Sequence, residues 1–267
     1  MEIMKSKIIT TLLLILLVNT MYANVIILNG LTHVYSGSSG NVISGEIILV
    51  NGSEEDQRVT FQLNDAIFSC TNNKYFTDEI THNQSSIEWF NGNLSDKILA
   101  PKETFKYRFS INIPKNDNLR GSFWSILKVN VDKPIMENTL RGSNVAIGSK
   151  VSYAVALLTH VNVFDEVNLD FNNVKLNQFT NSNKKELDIN LINESSFVEA
   201  VKLTIEIFNK NGEKVYELFT KRNWVFPGLC KDFKIDVSEL PEGDYECVLM
   251  AEARDEFVGT NLSLTIK

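Results

Sequence analysis

Hydrophobic and polar residues alternate along most of this chain in short runs with a period of two. In Arg58-Val-Thr-Phe-Gln-Leu63, Val59, Phe61 and Leu63 fall on one side and Arg58, Thr60 and Gln62 on the other. That is the pattern of a strand with one buried and one wet face. Thr104 to Ile113 repeats it with Phe105, Tyr107, Phe109, Ile111 and Ile113, and Pro114 closes it because proline brings no ladder donor. Glu186 to Ile192 and Val201 to Phe208 alternate in the same way. The second of these meets Val215 to Phe219 across Asn209-Lys-Asn-Gly-Glu213, and Asn-Gly between alternating strands predicts a hairpin. Further strands are predicted at 24–35 with a break at Gly30, and at 42–50, 167–176 and 261–266. The less regular stretch 74–89 reads as a hairpin turning at 81–84. Asn, Gly, Ser and Asp separate the runs, and no long amphipathic helix interrupts them.

Two long strands dominate the middle of the chain, Leu119 to Val131 and Val151 to Val161, joined by irregular residues 132–150. A loop of that length inside a domain is uncommon and is usually functional or disordered. The grammar of short strands then starts again, which predicts two domains of about seven strands each. The fold class is all-β: two tandem immunoglobulin-like β-sandwiches, 24–163 and 164–267, with the boundary near Phe164-Asp-Glu166.

Residues 1–23 read as a signal peptide rather than as part of the fold. Lys5 and Lys7 precede the apolar run Ile8 to Val18, and Ala23 offers a small residue for cleavage. The run is short for a membrane span, and no second long apolar segment follows. The expectation is an exported chain with no membrane span after cleavage. The formal charge is -7, which argues against nucleic acid or an anionic membrane surface as partner.

Three cysteines, Cys70, Cys230 and Cys247, make an odd number for an exported chain. If Phe233 to Val237 and Tyr245 to Met250 neighbour each other around the turn at Leu240-Pro-Glu-Gly-Asp244, Cys230 and Cys247 stand roughly 13 Å apart, too far for a bridge. The expectation is three small buried hydrophobes.

Catalytic chemistry finds no support. His33, His82 and His160 are scattered without ligand spacing, so no metal site is expected. Acidic pairs such as Glu54-Glu55 and Asp255-Glu256 sit at turns, where a solvated face is the default. There is no Gly-x-Ser-x-Gly elbow and no phosphate-binding glycine loop, hence no enzyme and no cofactor in this reading. Trp89, Trp124 and Trp224 would form a sugar platform if exposed, but core or edge packing is the default for tryptophan. Asn-x-Ser triplets at Asn51, Asn83, Asn93, Asn193 and Asn261 read as polar residues of turns and strands.

At Leu240-Pro-Glu-Gly-Asp-Tyr-Glu-Cys247 the sequence resembles the E–F corner of immunoglobulin-like domains. The resemblance implies that Tyr245 hydrogen-bonds back to the backbone a few residues upstream. The strand-B cysteine and strand-C tryptophan of antibody domains are absent from 186–192 and 201–208. Over roughly 30–163, four stretches in order resemble the N-terminal domain of PapD-like periplasmic pilus chaperones and the extracellular domain of WxL-interacting proteins. They are Gly45-Glu-Ile-Ile-Leu-Val-Asn-Gly-Ser53, Leu99-Ala-Pro-Lys-Glu-Thr104, Ile113-Pro114 and Arg120-Gly-Ser-Phe-Trp-Ser-Ile-Leu127.

This resemblance implies a chaperone-like or assembly role for an exported bacterial protein of the periplasm or cell surface. Its partner would be another exported or surface protein, held by strand addition. The implied contact strand follows the 132–150 loop and carries Lys150, Val151, Tyr153, Val155 and Leu157. In the pilus chaperones an arginine on the first strand and a lysine on the last anchor the partner's carboxylate. Residues 24–57 here have neither a lysine nor an arginine, and Lys150 is the residue placed to act as that lysine. Read as residues alone, Val151 to Leu157 is better described as the closing strand of its own sandwich, with those side chains in its own core. The alternative function is a surface adhesin or a module that binds cell-wall glycan.

Overall fold

A computed structural model describes residues 25–70, 74–132, 150–162, 166–179 and 183–267. The expected signal peptide at 1–23 lies outside the described residues, as do residues 133–149 of the expected loop and most of the expected domain boundary.

The strands of the first half are β1 (Val25–Ile27), β2 (Thr32–Gly37), β3 (Val42–Asn51), β4 (Gln57–Phe68), β5 (Lys74–Thr77), β6 (Phe90–Gly92), β7 (Lys97–Leu99), β8 (Thr104–Asn112), β9 (Gly121–Asp132) and β10 (Val151–Val161). They form a sheet in the order β1-β3-β8-β6 and a second in the order β2-β10-β9-β4-β5, with β7 on β4. The inner faces close over one core that includes Ile47, Leu49, Val59, Tyr107, Phe109, Leu127, Val155 and Leu157. The first strand divides between the two sheets. Val25 to Ile27 pairs antiparallel with β3, and after Gly30, at φ +86°, β2 pairs parallel with β10. Only glycine takes such a φ without strain.

The second half contains β11 (Leu169–Gln178), β12 (Lys185–Asn193), β13 (Glu199–Phe208), β14 (Lys214–Phe219), β15 (Asn223–Val225), β16 (Cys230–Asp236), β17 (Gly243–Ala253) and β18 (Glu256–Ile266). The sheets are β11-β12-β16 and β14-β13-β17-β18, with β15 on β13. Their core includes Leu187, Ile189, Leu203, Ile205, Phe233, Leu249 and Leu264. The protein is therefore all-β and built of tandem immunoglobulin-like sandwiches.

Several predicted elements stand close to their predicted bounds, and three differ. The expected hairpin at 81–84 is absent. Instead β5 folds back on β4, pairing Lys74 with Phe68 and Thr77 with Asp65, and a single 3-10 turn at Ile87–Trp89 follows. The closing strand begins at Glu256, five residues earlier than the pattern suggested, because Arg254 and Asp255 both take left-handed backbone (φ 48° and 66°) in a tight turn from β17. Two consecutive positive φ values give a turn twist that matches a hairpin.

The third difference concerns the cysteines. β16 and β17 do not neighbour each other: β16 pairs with β12 and β17 with β13 and β18, so the Pro-Glu-Gly turn crosses from one sheet to the other. The E–F corner survives this, since the Tyr245 hydroxyl donates to Pro241 O at 3.1 Å. The expectation of three free cysteines does not. Cys70 and Cys230 form a disulfide between the two halves, with Cα atoms 4.7 Å apart and 160 residues between them in sequence. Cys247 alone is a free buried thiol. A bridge between two domains leaves no local spacing to read.

Candidate binding site between the two sandwiches

β10 positions the site. β9 pairs with it over its whole length, Val151 to Val161. β2 pairs with it only from Ala156 to Val161. The backbone N–H of Ala156 donates to Leu31 O at 2.8 Å, so even-numbered residues of β10 direct their backbone groups toward β2 and odd-numbered ones toward β9. Before Ala156 the β2 side has no ladder partner among the described residues. Ser152 and Ala154 therefore present N–H and C=O groups on an open half-edge.

The side chains of β10 divide the same way. Val155 and Leu157 are 0% and 1% exposed and belong to the core of the first sandwich. Tyr153 packs against that core and donates its hydroxyl to Val25 O. Burial raises its phenol pKa. Val151 is 37% exposed and Lys150 is exposed. On the opposite face Ala154, Ala156 and Leu158 look into a cleft of about 370 Å³ between the sandwiches.

Aromatic residues from both halves build that cleft. Phe226 reaches across from the second sandwich and stacks on Phe68 with centroids 3.9 Å apart and 16° between planes. It meets Trp124 edge-on at 4.8 Å. Trp124 is fixed from behind, where its indole N–H donates to Ala66 O at 2.9 Å and His82 lies 4.7 Å from its ring. The Phe226 loop hangs on one buried side chain, Asn193, whose amide donates to Val225 O and to Phe197 O. Trp224, 40% exposed, lines the same cleft. Trp89 is instead buried in the first core.

Charge enters the cleft through Lys74 and Lys231. Burial lowers the Lys231 pKa and the positive charge of Lys74 adds to the fall, with Asp232 acting in the other direction. Neither lysine came out of the sequence reading. Nor did Phe68, Phe226 or the disulfide. Trp224-Val-Phe-Pro-Gly228 was the available signal, an aromatic placed just before a turn, but its destination depends on how the domains meet.

Among the described residues, two ties flank the buried apolar cluster in which Val198 of the second sandwich packs on Ala66, Trp124, Ile126 and Leu158 of the first. At the start of β9 the Ser122 N–H donates to Ser196 O at 2.9 Å, and Val198 N–H donates to Ser122 Oγ at 2.7 Å. Ser122 Oγ also lies 2.7 Å from His160 Nδ1. Gly121 makes this approach feasible: its φ is +114°, and a Cβ there would stand 2.6 Å from Ser196 O. Beyond the end of β4 the Cys70–Cys230 disulfide forms the second tie, with the Asp232 N–H donating to Cys70 O at 3.3 Å.

The Ser122–His160 pair has the residue types of a nucleophile and its base, but not the setting. Both are buried, and the serine oxygen already accepts the Val198 N–H. His160 is held neutral, its pKa pushed down to about 4 by burial and by the nearby Arg254 charge. Arg254 in turn forks onto the fully buried Glu199. Both residues lie in the first sandwich, and Ser122 links it to the second through Ser196 and Val198. His33, His82 and His160 lie apart, each with its own partners, and no group of three metal-ligating residues occurs among the described residues. No described helix is long and apolar enough to cross a membrane.

No protein-family model and no curated protein matches the sequence. Solved structures do resemble it. One is a chain from a chaperone–tip adhesin complex of CFA/I fimbriae, at 13% identity over 90% of this chain and 98% of its own, with a TM-score of 0.49. The class 5 fimbrial chaperone CfaA is similar at 12% identity, over 91% and 98%, with a TM-score of 0.47. The chaperone YadV is similar at 11% identity, over 91% and 100%, with a TM-score of 0.46. All three are likenesses of fold, at identities that carry nothing about what this chain binds.

Proposed function

We propose that this chain is an exported, non-enzymatic binding protein that acts as a chaperone or assembly factor for another exported protein. The open half-edge of β10 beside the aromatic cleft carries the reading. An extended segment added there would receive the N–H and C=O groups of Ser152 and Ala154, which have no ladder partner on that side among the described residues, and backbone hydrogen bonds supply affinity in this mode. Its side chains would lie against the cleft face of Ala154, Ala156 and Leu158. Lys150, Val151 and Tyr153 belong to the contact strand, and Val155 and Leu157 hold that strand from its core side. The charged start, apolar run and small residue of the first 23 positions support export, to the periplasm or the cell surface.

Ala154→Pro tests this, because it removes one open-edge donor and leaves the ladder to β9 intact. Tagged wild-type and variant proteins would be used to capture partners from the native cells, with mass spectrometry as the readout. The reading expects one exported protein retained by the wild type and lost by the variant. Equal retention by both would sink it.

The exposed Trp224 in the same cleft favours a second reading, binding of a cell-wall glycan by stacking. Retention on purified wall polysaccharide that is lost in Trp224→Ala, with no protein captured, would support that reading over the first.

A further inference from the structure

We propose that the Cys70–Cys230 disulfide is a redox latch on the cleft: oxidised, it holds the two aromatic walls together, and reduced, it lets the second sandwich swing away about the Ser122–Ser196 contact. This rests on the reading of the cleft as the partner site. The position of the bond carries the inference. Each sandwich closes its own core, and neither Cys70 nor Cys230 is part of either core. Cys70 sits two residues beyond Phe68, and Cys230 sits four residues beyond Phe226. The bridge thus ties the bases of the two rings that stack across the cleft, and Cys230 itself lines the cavity. Asp232 donates to Cys70 O in the same place, so the polar contact there depends on the same approach.

The chemistry closes with a dithiol as reductant. Two electrons and two protons pass to the Cys70–Cys230 bond, which breaks to give two thiols, and the dithiol becomes a disulfide. Cys247 does not interfere. It is buried and 2% exposed, and burial together with the Glu246 charge pushes its thiol up to about 11, so it supplies no thiolate to attack the bridge.

The test uses the full-length mature protein in oxidised form, after dithiothreitol, and as Cys70→Ser/Cys230→Ser in case the reductant does not reach the bond. Thiol titration confirms the state, and near-ultraviolet circular dichroism confirms that both cores persist. The probe is 1-anilinonaphthalene-8-sulfonate, an apolar anion suited to an aromatic cleft with two lysines. Opening the latch is expected to weaken probe binding about fivefold or more and to speed Asp232 amide exchange about tenfold, with reoxidation restoring the reduced wild type. Equal probe affinity and equal exchange in oxidised and opened protein would overturn the latch. Failure of the partner reading looks different: no exported protein is then captured in either redox state.

Discussion

Asn51 and Asn193 do the same work at the same place in the two sandwiches. Asn51 ends β3 and Asn193 ends β12, each is fully buried, and each starts an Asn-x-Ser triplet. The Ser53 and Ser195 hydroxyls both donate to the carboxamide oxygen of their asparagine at 2.7 Å, and their backbone N–H groups donate to it at 3.0 Å. The amide of Asn51 then donates to Glu55 O, Leu99 O and Ala100 O, and that of Asn193 to Phe197 O and Val225 O. One side chain satisfies the loops that leave the strand. In the second sandwich those loops include the one that carries Phe226 into the cleft.

Replacing either asparagine with alanine takes the donor away from two or three loop carbonyls, at a cost on the order of 2–4 kcal/mol. Urea unfolding measures it. Asn193→Ala is expected also to weaken binding at the cleft, whereas Asn51→Ala is expected to leave the cleft intact in the folded fraction.

Stability is expected to fall with acid through His160. Its pKa is pushed down to about 4 in the folded protein, below the usual value of 6.5, so the folded state binds fewer protons than the unfolded chain between those limits. The contribution is complete above about pH 6.5 and is lost as pH drops toward 4, a fall of about 2–3 kcal/mol by pH 4.5. Unfolding curves of wild type and His160→Gln at pH 7 and 4.5 separate this from carboxylate effects. The variant should lose less on acidification, and parallel losses would show that His160 is not the source.

Gly121→Ala and Gly30→Ala form a matched pair. Both glycines have positive φ, but only Gly121 has a neighbour in the way, Ser196 O at 2.6 Å from the added carbon. Gly30 has open space and pays only the conformational cost, about 1 kcal/mol. Gly121→Ala is expected to lose about 2–3 kcal/mol in thermal unfolding and to loosen the domain contact, seen as faster exchange of the Ser122 and Val198 amides.

What the sequence disclosed follows from the range of each interaction. The alternation in Arg58 to Leu63 and Thr104 to Ile113 reports burial of one strand face, which is local, so those strands were legible. So was the Tyr245 corner, because donor and acceptor lie four residues apart. The pairing of Cys70 with Cys230 was not, because it depends on how two separately closed cores dock. The cleft shares that dependence: Phe68 and Phe226 read as ordinary apolar residues until the domains meet. At β10 the alternation marked Val151, Tyr153, Val155 and Leu157 as one face, and that face turns toward the core. The face that looks into the cleft is the plainer Ala154, Ala156 and Leu158.

The most direct measurement is amide hydrogen exchange along β10 in the free protein and in the complex with its captured partner. Strand addition at the open half-edge predicts that the Ser152 and Ala154 amides slow about a hundredfold on binding, while Ala156 and Leu158, on the stretch already paired with β2, change little. Unchanged exchange at Ser152 and Ala154, with protection arising elsewhere, would contradict the account.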